Sequence, residues 1–265
     1  MRMRPPFCDL LKGMKNLIHF KVRMAELLVE VHCQYESTRE YCRDYLPEAG
    51  MVPDRVITIS EEVLEEEQRS LRMKDDPGAE NRNVVENYSL CRALAEYLPE
   101  RNRVLFHGSS LAVDGQGVLF TAKSGTGKST HTRLWREVFG ERVVMINDDK
   151  PFLHIETDGT TIYGNPWRGK HRLGSNMAAP LRAICIVCRG EENRILRLTP
   201  REALPTLLQQ TYMPEDPQML RQTLALTDRL SKTVPVYRLY CNMDPQAARV
   251  AYAGLELDEK KVGAL

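Results

Sequence analysis

Apolar residues recur along this chain in two periods, and the places where the period changes mark its elements. Ile18 to Cys33 alternates loosely between apolar and polar positions, which predicts one or two strands. Tyr35 to Tyr45 reads as helix, and Val52 to Ile59 alternates again, as a strand. Ser60 is placed to cap an acidic helix whose apolar side carries Val63 and Leu64. Lys74 to Asn83 is polar, with a Pro-Gly step, and predicts a mobile loop. From Val85 to Leu98 the helical period returns, with Leu90, Leu94, Ala95 and Leu98 on one face. The strand-like runs Val104 to Phe106, Ser110 to Val113 and Val118 to Thr121 follow. The turn Asp114-Gly-Gln-Gly117 is so short that it joins the last two only as an antiparallel hairpin.

Beyond Thr121 the pattern turns helical from Ser129 to Phe139, with Leu134, Trp135 and Val138 inward and Gly140 as the stop. Val143 to Ile146 is apolar at every position, the pattern of a strand buried on both faces. Asp158-Gly159 between Phe152–Thr157 and Thr161–Tyr163 predicts a second hairpin. Leu181 to Cys188 reads as a buried strand, Thr199-Pro-Arg-Glu202 as a capping box opening a helix to Gln210, and Asp216-Pro217 as the start of a helix to Leu230. Val234 to Cys241 is a strand, and Asp244-Pro245 opens a last helix ending near Gly254. The hairpin at Asp114 makes the strand before residue 122 antiparallel to its predecessor, so the fold expected is α/β with a mixed sheet flanked by helices. The organisation expected is a small α/β region over 1–100, a main domain over 101–255 and a tail over 256–265.

Composition narrows the class. The chain has 265 residues, 42% of them hydrophobic, enough for one large or two small cores. Lys+Arg 37 against Asp+Glu 36 leaves a net charge of +1, so no overall basic excess points to nucleic acid or an anionic membrane. A local basic bias at Arg2, Arg4, Lys12, Lys15, Lys21 and Arg23 separates apolar runs too short for a signal peptide or membrane span. Seven scattered cysteines without such a signal predict a reduced, cytoplasmic protein. Cys185 and Cys188 form a C-x-x-C, but on a strand residues three apart face opposite sides, so they are expected to be core residues. The six histidines are dispersed in sequence.

The candidate chemistry centres on Ala122-Lys-Ser-Gly-Thr-Gly-Lys-Ser-Thr130, between a strand and a helix. Gly125 and Gly127 let the backbone wrap an anion, and a helix start adds its N–H groups and positive dipole end. The expected nucleotide contacts are Ser124, Gly125, Thr126, Gly127, Lys128, Ser129 and Thr130, with Lys128 on the β- and γ-phosphates and the Ser129 hydroxyl on Mg²⁺. Ala122 stands where such a loop usually has its first glycine, which is tolerable at negative φ. Asp148 and Asp149, at the end of the buried strand, are candidates for a metal ligand and a proton acceptor. Arg168, Lys170 and Arg172, in the glycine-rich stretch 164–176, are candidates to neutralise charge in phosphoryl transfer. Gln209, Gln210, Thr211 and Tyr212 either face the substrate or solvate a helix end.

Phe106-His-Gly108, the Asp114-Gly115 hairpin, Lys123-Ser-Gly-Thr-Gly-Lys-Ser129 and Asn147-Asp-Asp149 together resemble the HPr kinase/phosphorylase family, whose core is shared with ATP-dependent phosphoenolpyruvate carboxykinase. The likeness spans about residues 107–176, with the following strand 181–187. It implies a mixed-sheet nucleotide-binding core, ATP and Mg²⁺ as cofactors, Asp148 as general base with His107 beside it, and Asp149 as the metal-side carboxylate. It also implies a homo-oligomer. The family's Glu-x-Arg-Gly element is Thr161-Ile-Tyr-Gly164 here, and its following loop reads Asn165-Pro-Trp-Arg-Gly-Lys170. The implied activity is therefore an ATP-dependent kinase whose acceptor is a hydroxyl of a small metabolite or peptide, rather than the protein HPr. Two rivals remain at this level: a nucleotide-sensing regulatory module, and an NTPase without a phosphoryl acceptor.

Overall fold

The computed structural model describes residues 17–48, 50–123, 125–255 and 257. Arg2, Arg4, Lys12, Lys15, Ser124 and the tail apart from Leu257 lie outside the described residues. The chain divides into two compact units, Met1–Leu94 and Ala95–Leu265.

In the first unit, β1 (Ile18–Met24) and β2 (Leu27–Cys33) form a hairpin, and β3 (Arg55–Thr58) adds to β2 in parallel. The hairpin turn is Ala25-Glu26, both at positive φ (48° and 66°), a primed two-residue turn made without glycine. Phe20, Val22, Val29 and Val31 are buried, so the strands alternate core and solvent as their sequence does. Two helices, α1 (Glu36–Tyr41) and α2 (Glu61–Met73), follow, and Ser60 caps α2 by accepting from Val63 N at 3.4 Å. The stretch expected to be a mobile loop is built otherwise. A 3-10 turn over Pro77–Glu80 is capped by Asp76, and Gln68 donates to Ala79 O at 2.7 Å. Helix α3 (Arg82–Tyr97) supplies the buried Glu86, which accepts from Gln34 N (2.6 Å), Tyr35 N (3.1 Å) and Thr38 Oγ1 (2.5 Å). A carboxylate so deep is tolerated because three donors converge on it.

The second unit is a curled mixed sheet between two layers of helices. Its strands are β4 (Arg103–Leu105), β5 (Ser109–Val113), β6 (Gln116–Thr121), β7 (Val143–Asn147), β8 (Phe152–Ile155), β9 (Thr160–Tyr163), β10 (Ala178–Arg189), β11 (Arg194–Leu198) and β12 (Val236–Cys241). The main path runs β4-β8-β9-β10-β6-β5-β7. β5 and β6 are antiparallel, as the short turn required, with Asp114 and Gly115 both at positive φ. β6 pairs in parallel with β10, so the strand that enters the glycine-rich loop has neighbours of both directions. The twelve residues of β10 explain the curl. Its first three pair with β9, while Ile184–Arg189 pair with β12, which carries β11 on its far edge.

Alternation along the strands makes two cores. Leu111, Val113, Val118, Phe120, Ala183 and Cys185 face α4 (Lys128–Phe139) and α7 (Gln246–Gly254), with Trp135 fully buried between them. Ala112, Leu119, Ile184 and Ile186 face α5 (Pro200–Gln210) and α6 (Pro217–Thr233). Cys185 belongs to the first core and Cys188 packs on the second, which is the opposite-face arrangement expected of a strand. Strand β11 has no counterpart in the sequence reading, because Arg194-Ile-Leu-Arg-Leu carries two arginines in five residues and is mostly exposed.

Candidate active site

Four segments meet at the carboxyl end of β6 and β7. The first is the glycine-rich loop. Gly125 and Gly127 have φ of 75° and 126°, conformations that side-chain-bearing residues rarely adopt. A Cβ on either would meet nothing within 4 Å, so these glycines serve backbone shape and leave the space over the loop open. Ala122 is not in positive φ, so it opens the loop without the strain that would have demanded glycine. Helix α4 starts at Lys128 with no side-chain cap and no acidic residue in its first turn. Its first N–H groups and dipole are therefore offered to an external anion rather than spent within the chain. Ser129 is exposed, Thr126 and Thr130 are half-buried, and Lys128 Nζ is folded back on Ala122 O at 3.2 Å. Burial lowers the Lys128 pKa, and the charge of Asp149 opposes that shift.

The second segment is the turn after β7. Asn147, fully buried, accepts from Asp149 N (2.8 Å) and Lys150 N (2.7 Å) through Oδ1. Its Nδ2 donates to Asn165 Oδ1 at 3.0 Å and lies 3.3 Å from Asn165 O and Trp167 O. Asn165 in turn donates to Lys150 O (2.5 Å) and accepts from Trp167 N (3.0 Å). Two buried amides thus fix the path on which both aspartates stand.

The third segment, residues 164–177, closes over that turn. A Cβ at Gly164 would lie 1.9 Å from Ser175 O and 2.7 Å from Ile146 O, and one at Gly174 would lie 2.9 Å from Ile146 O. Gly169 N donates to Asp148 Oδ1 at 2.6 Å, and a Cβ at Gly169 would press on both aspartates. These glycines allow backbone to touch backbone. Arg168 packs half-buried against Gly174, whereas Lys170 and Arg172 are exposed, Arg172 at φ 51°. No hydrogen bond or ion pair ties Lys170 to the aspartates among the described residues.

The fourth segment is Phe106-His-Gly108. Its three N–H groups donate in turn to Pro151 O (3.1 Å), Gln210 O (2.7 Å) and Asp149 O (2.9 Å), and Thr121 Oγ1 donates to His107 O at 3.0 Å. His107 Nδ1 donates to Gln210 Oε1 at 3.0 Å, and Nε2 lies 3.5 Å from Asp149 Oδ1.

The expected pairing of His107 with Asp148 is corrected here: His107 stands beside Asp149. The reason is the Asn147 turn, which points successive side chains apart. Asp148 goes inward to Gly169 N, and Asp149 goes toward His107 and Lys150. Burial pushes the Asp149 carboxyl up, but the hydrogen bond from His107 and the Lys150 ammonium outweigh it and hold it at about 2. Two partners escaped sequence reasoning. Lys150 bonds Asp149, and Arg189 at the end of β10 donates to Gly125 O at 2.9 Å. Gln210 orients His107, although helix-end solvation described it equally well. Lys150 had a signal, since it adjoins the aspartate pair; Arg189 lies 61 residues beyond Lys128 and had none.

No protein-family model matches this chain, and no curated protein matches it. Among solved structures it is similar to the Hpr(Ser) kinase/phosphatase from Coxiella burnetii, at 11% identity and a TM-score of 0.33, over 57% of this chain and 92% of that one. A likeness of that size carries no argument about chemistry, which rests on the geometry above.

Proposed function

We propose that this chain is a phosphotransferase that passes the γ-phosphoryl group of ATP to a hydroxyl of a small metabolite or peptide. The observation that carries this reading is the meeting of an open, uncapped anion cradle with a pair of aspartates. Gly108 N bonds Asp149 O at 2.9 Å and Thr121, just before the loop, bonds His107 O at 3.0 Å, which seats the aspartates beside the cradle. Lys128, Gly125, Thr126, Gly127, Ser129 and Thr130 bind the phosphates in this reading, with Ser124 completing the loop.

The exposed Ser129 hydroxyl and the ionised Asp149 carboxylate are hard oxygen donors, the set that suits Mg²⁺. Bound there, Mg²⁺ would supply charge neutralisation. Their partners divide the two aspartates. A carboxylate at about 2 resists protonation at pH 7 by about 7 kcal/mol, so Asp149 serves as a fixed charge. Asp148, held by a single backbone N–H, takes the acceptor's proton. The acceptor O–H bond breaks toward Asp148 as its oxygen bonds to the γ-phosphorus. The bond from that phosphorus to the β–γ bridging oxygen breaks, and ADP leaves. His107, oriented by Gln210, holds Asp149 in place. Arg168, half-buried against Gly174, and Lys170, exposed beside Gly169, are the cations offered to the transferring group in this reading.

Phosphorus NMR with Mg-ATP and a pool of serine, other hydroxylated metabolites and short Ser/Thr peptides tests the reading. A new phosphoester signal, absent in Lys128→Ala, is expected. ADP and inorganic phosphate alone, or ATP left intact, overturns it. Asp148→Asn is expected to retain Mg-nucleotide binding and lose transfer about a hundredfold or more. Loss of metal-dependent binding in that variant exchanges the two aspartates' roles.

A further inference from the structure

The six histidines are scattered in sequence, yet two of them meet on the hairpin of the first unit. His19 on β1 and His32 on β2 are direct cross-strand partners, with ring centroids 4.0 Å apart and planes at 30°. Glu30, two residues before His32 on the same strand face, places Oε1 2.9 Å from His32 Nε2. One ligating atom from each of the three lies within 4.8 Å of the other two. We propose that His19, Glu30 and His32 form a binding site for a divalent transition-metal ion of the Zn²⁺ class.

Two imidazole nitrogens and one carboxylate oxygen make a donor set that suits Zn²⁺, Ni²⁺ or Cu²⁺ and disfavours Mg²⁺ and Ca²⁺, which take oxygen ligands. Three protein ligands on a solvent-facing strand pair leave the remaining position to water. The surroundings support coordination. Thr58 of β3 lies opposite His32 in parallel register, and its Oγ1 is 3.4 Å from His32 Nδ1. The Glu30 carboxylate only accepts, so His32 Nε2–H donates to it and the Thr58 hydroxyl donates to Nδ1. A bound ion would take the place of the Nε2 proton, leaving Nδ1–H to donate to the Thr58 oxygen, as behind other ligating histidines. The opposite face of the strands is anchored by buried Phe20, Val22, Val29 and Val31, so both backbones are held in register. Lys21, across from Glu30, and Arg23, two residues further along β1, are the cations on this face among the described residues. The Lys21 ammonium is engaged by Met51 O at 2.5 Å. The contact of the two imidazoles brings a second nitrogen donor beside the Glu30–His32 pair, so that one ion can reach all three groups and clip β1 to β2. This site is independent of the phosphoryl-transfer reading.

The full-length protein, stripped with chelator, is titrated with Zn²⁺ against a chromogenic competitor, with millimolar Mg²⁺ present throughout. Wild type is expected to take up one equivalent more than His19→Ala/His32→Ala. Glu30→Gln, which preserves size and hydrogen bonding, should bind ten- to a hundredfold more weakly. The ring-proton NMR signals of His19 and His32 in the wild type should move together, saturating at that same equivalent. Equal uptake by wild type and the double variant, or histidine signals that stay unmoved while Zn²⁺ binds, overturns the proposal.

Discussion

The two halves of the candidate active site are built in opposite ways from the same residue type. At the glycine-rich loop, Gly125 and Gly127 face open space and are needed for their positive φ. Over residues 164–177, Gly164, Gly169 and Gly174 lie against backbone or aspartate atoms and are needed because no Cβ fits. The helix start of the first half carries no side-chain cap. Of the loop's described donors only Thr126 N, to Lys123 O, and the Lys128 ammonium, to Ala122 O, are tied; the second half is committed through Asn147 and Asn165. A ligand can add to the first without displacing anything but water and the Lys128–Ala122 bond. The second holds charge in a fixed place, as preorganised electrostatics require.

Substitutions break this contrast in order of size. Gly164→Ala should cost about 4 kcal/mol or prevent folding, since its Cβ would sit 1.9 Å from a main-chain oxygen that cannot rotate away. Chemical denaturation measures it, and a loss below about 1 kcal/mol would show that the loop is free to move. Asn147→Ala should cost about 3 kcal/mol, because it strands the buried N–H groups of Asp149 and Lys150. Asn147→Asp should recover part of that loss by restoring their acceptor.

Acid separates the halves by pH. His131, in the first turn of α4, is buried, and Trp135 Nε1 donates to its Nε2 at 2.9 Å, so burial holds it neutral with a pKa of about 4 against 6.5. The depressed value means that its contribution is whole above pH 6.5 and lost as pH falls toward 4, about 3 kcal/mol in all. Asp149, lowered from 3.8 to about 2, keeps its contribution above pH 3.8 and loses about 2 kcal/mol between there and pH 2. Denaturant midpoints of His131→Gln and Asp149→Asn across pH 7 to 2 check both windows. The first variant should flatten the upper window only and the second the lower. Smallest in stability is Gly127→Ala, at about 1–2 kcal/mol of backbone strain, yet it should weaken ATP binding measurably by calorimetry. An unchanged affinity would remove the loop from the site.

Much of this was legible locally. The hairpin at Asp114-Gly115 followed from turn length and glycine chemistry, and the capping box at Thr199 from four residues, with both of its hydrogen bonds present. The Ala25-Glu26 turn was not, because neither residue advertises positive φ. The pairing of His107 with Asp149 was misread, since adjacent aspartates cannot be told apart until the turn that splays them is known. Gln210 and Arg189 join the site from 103 and 64 residues away from their partners.

By itself the sequence determined the alternation that splits the strands into two core faces and the glycines and Lys-Ser step that shape the loop before α4. Those are properties of neighbouring residues, governed by sterics and period. Only the tertiary structure decided which aspartate meets His107, which glycines are packed and which are open, and that His19 and His32 share one surface. Each of these depends on side chains brought together by strand register and sheet curl, and no local pattern encodes such a distance.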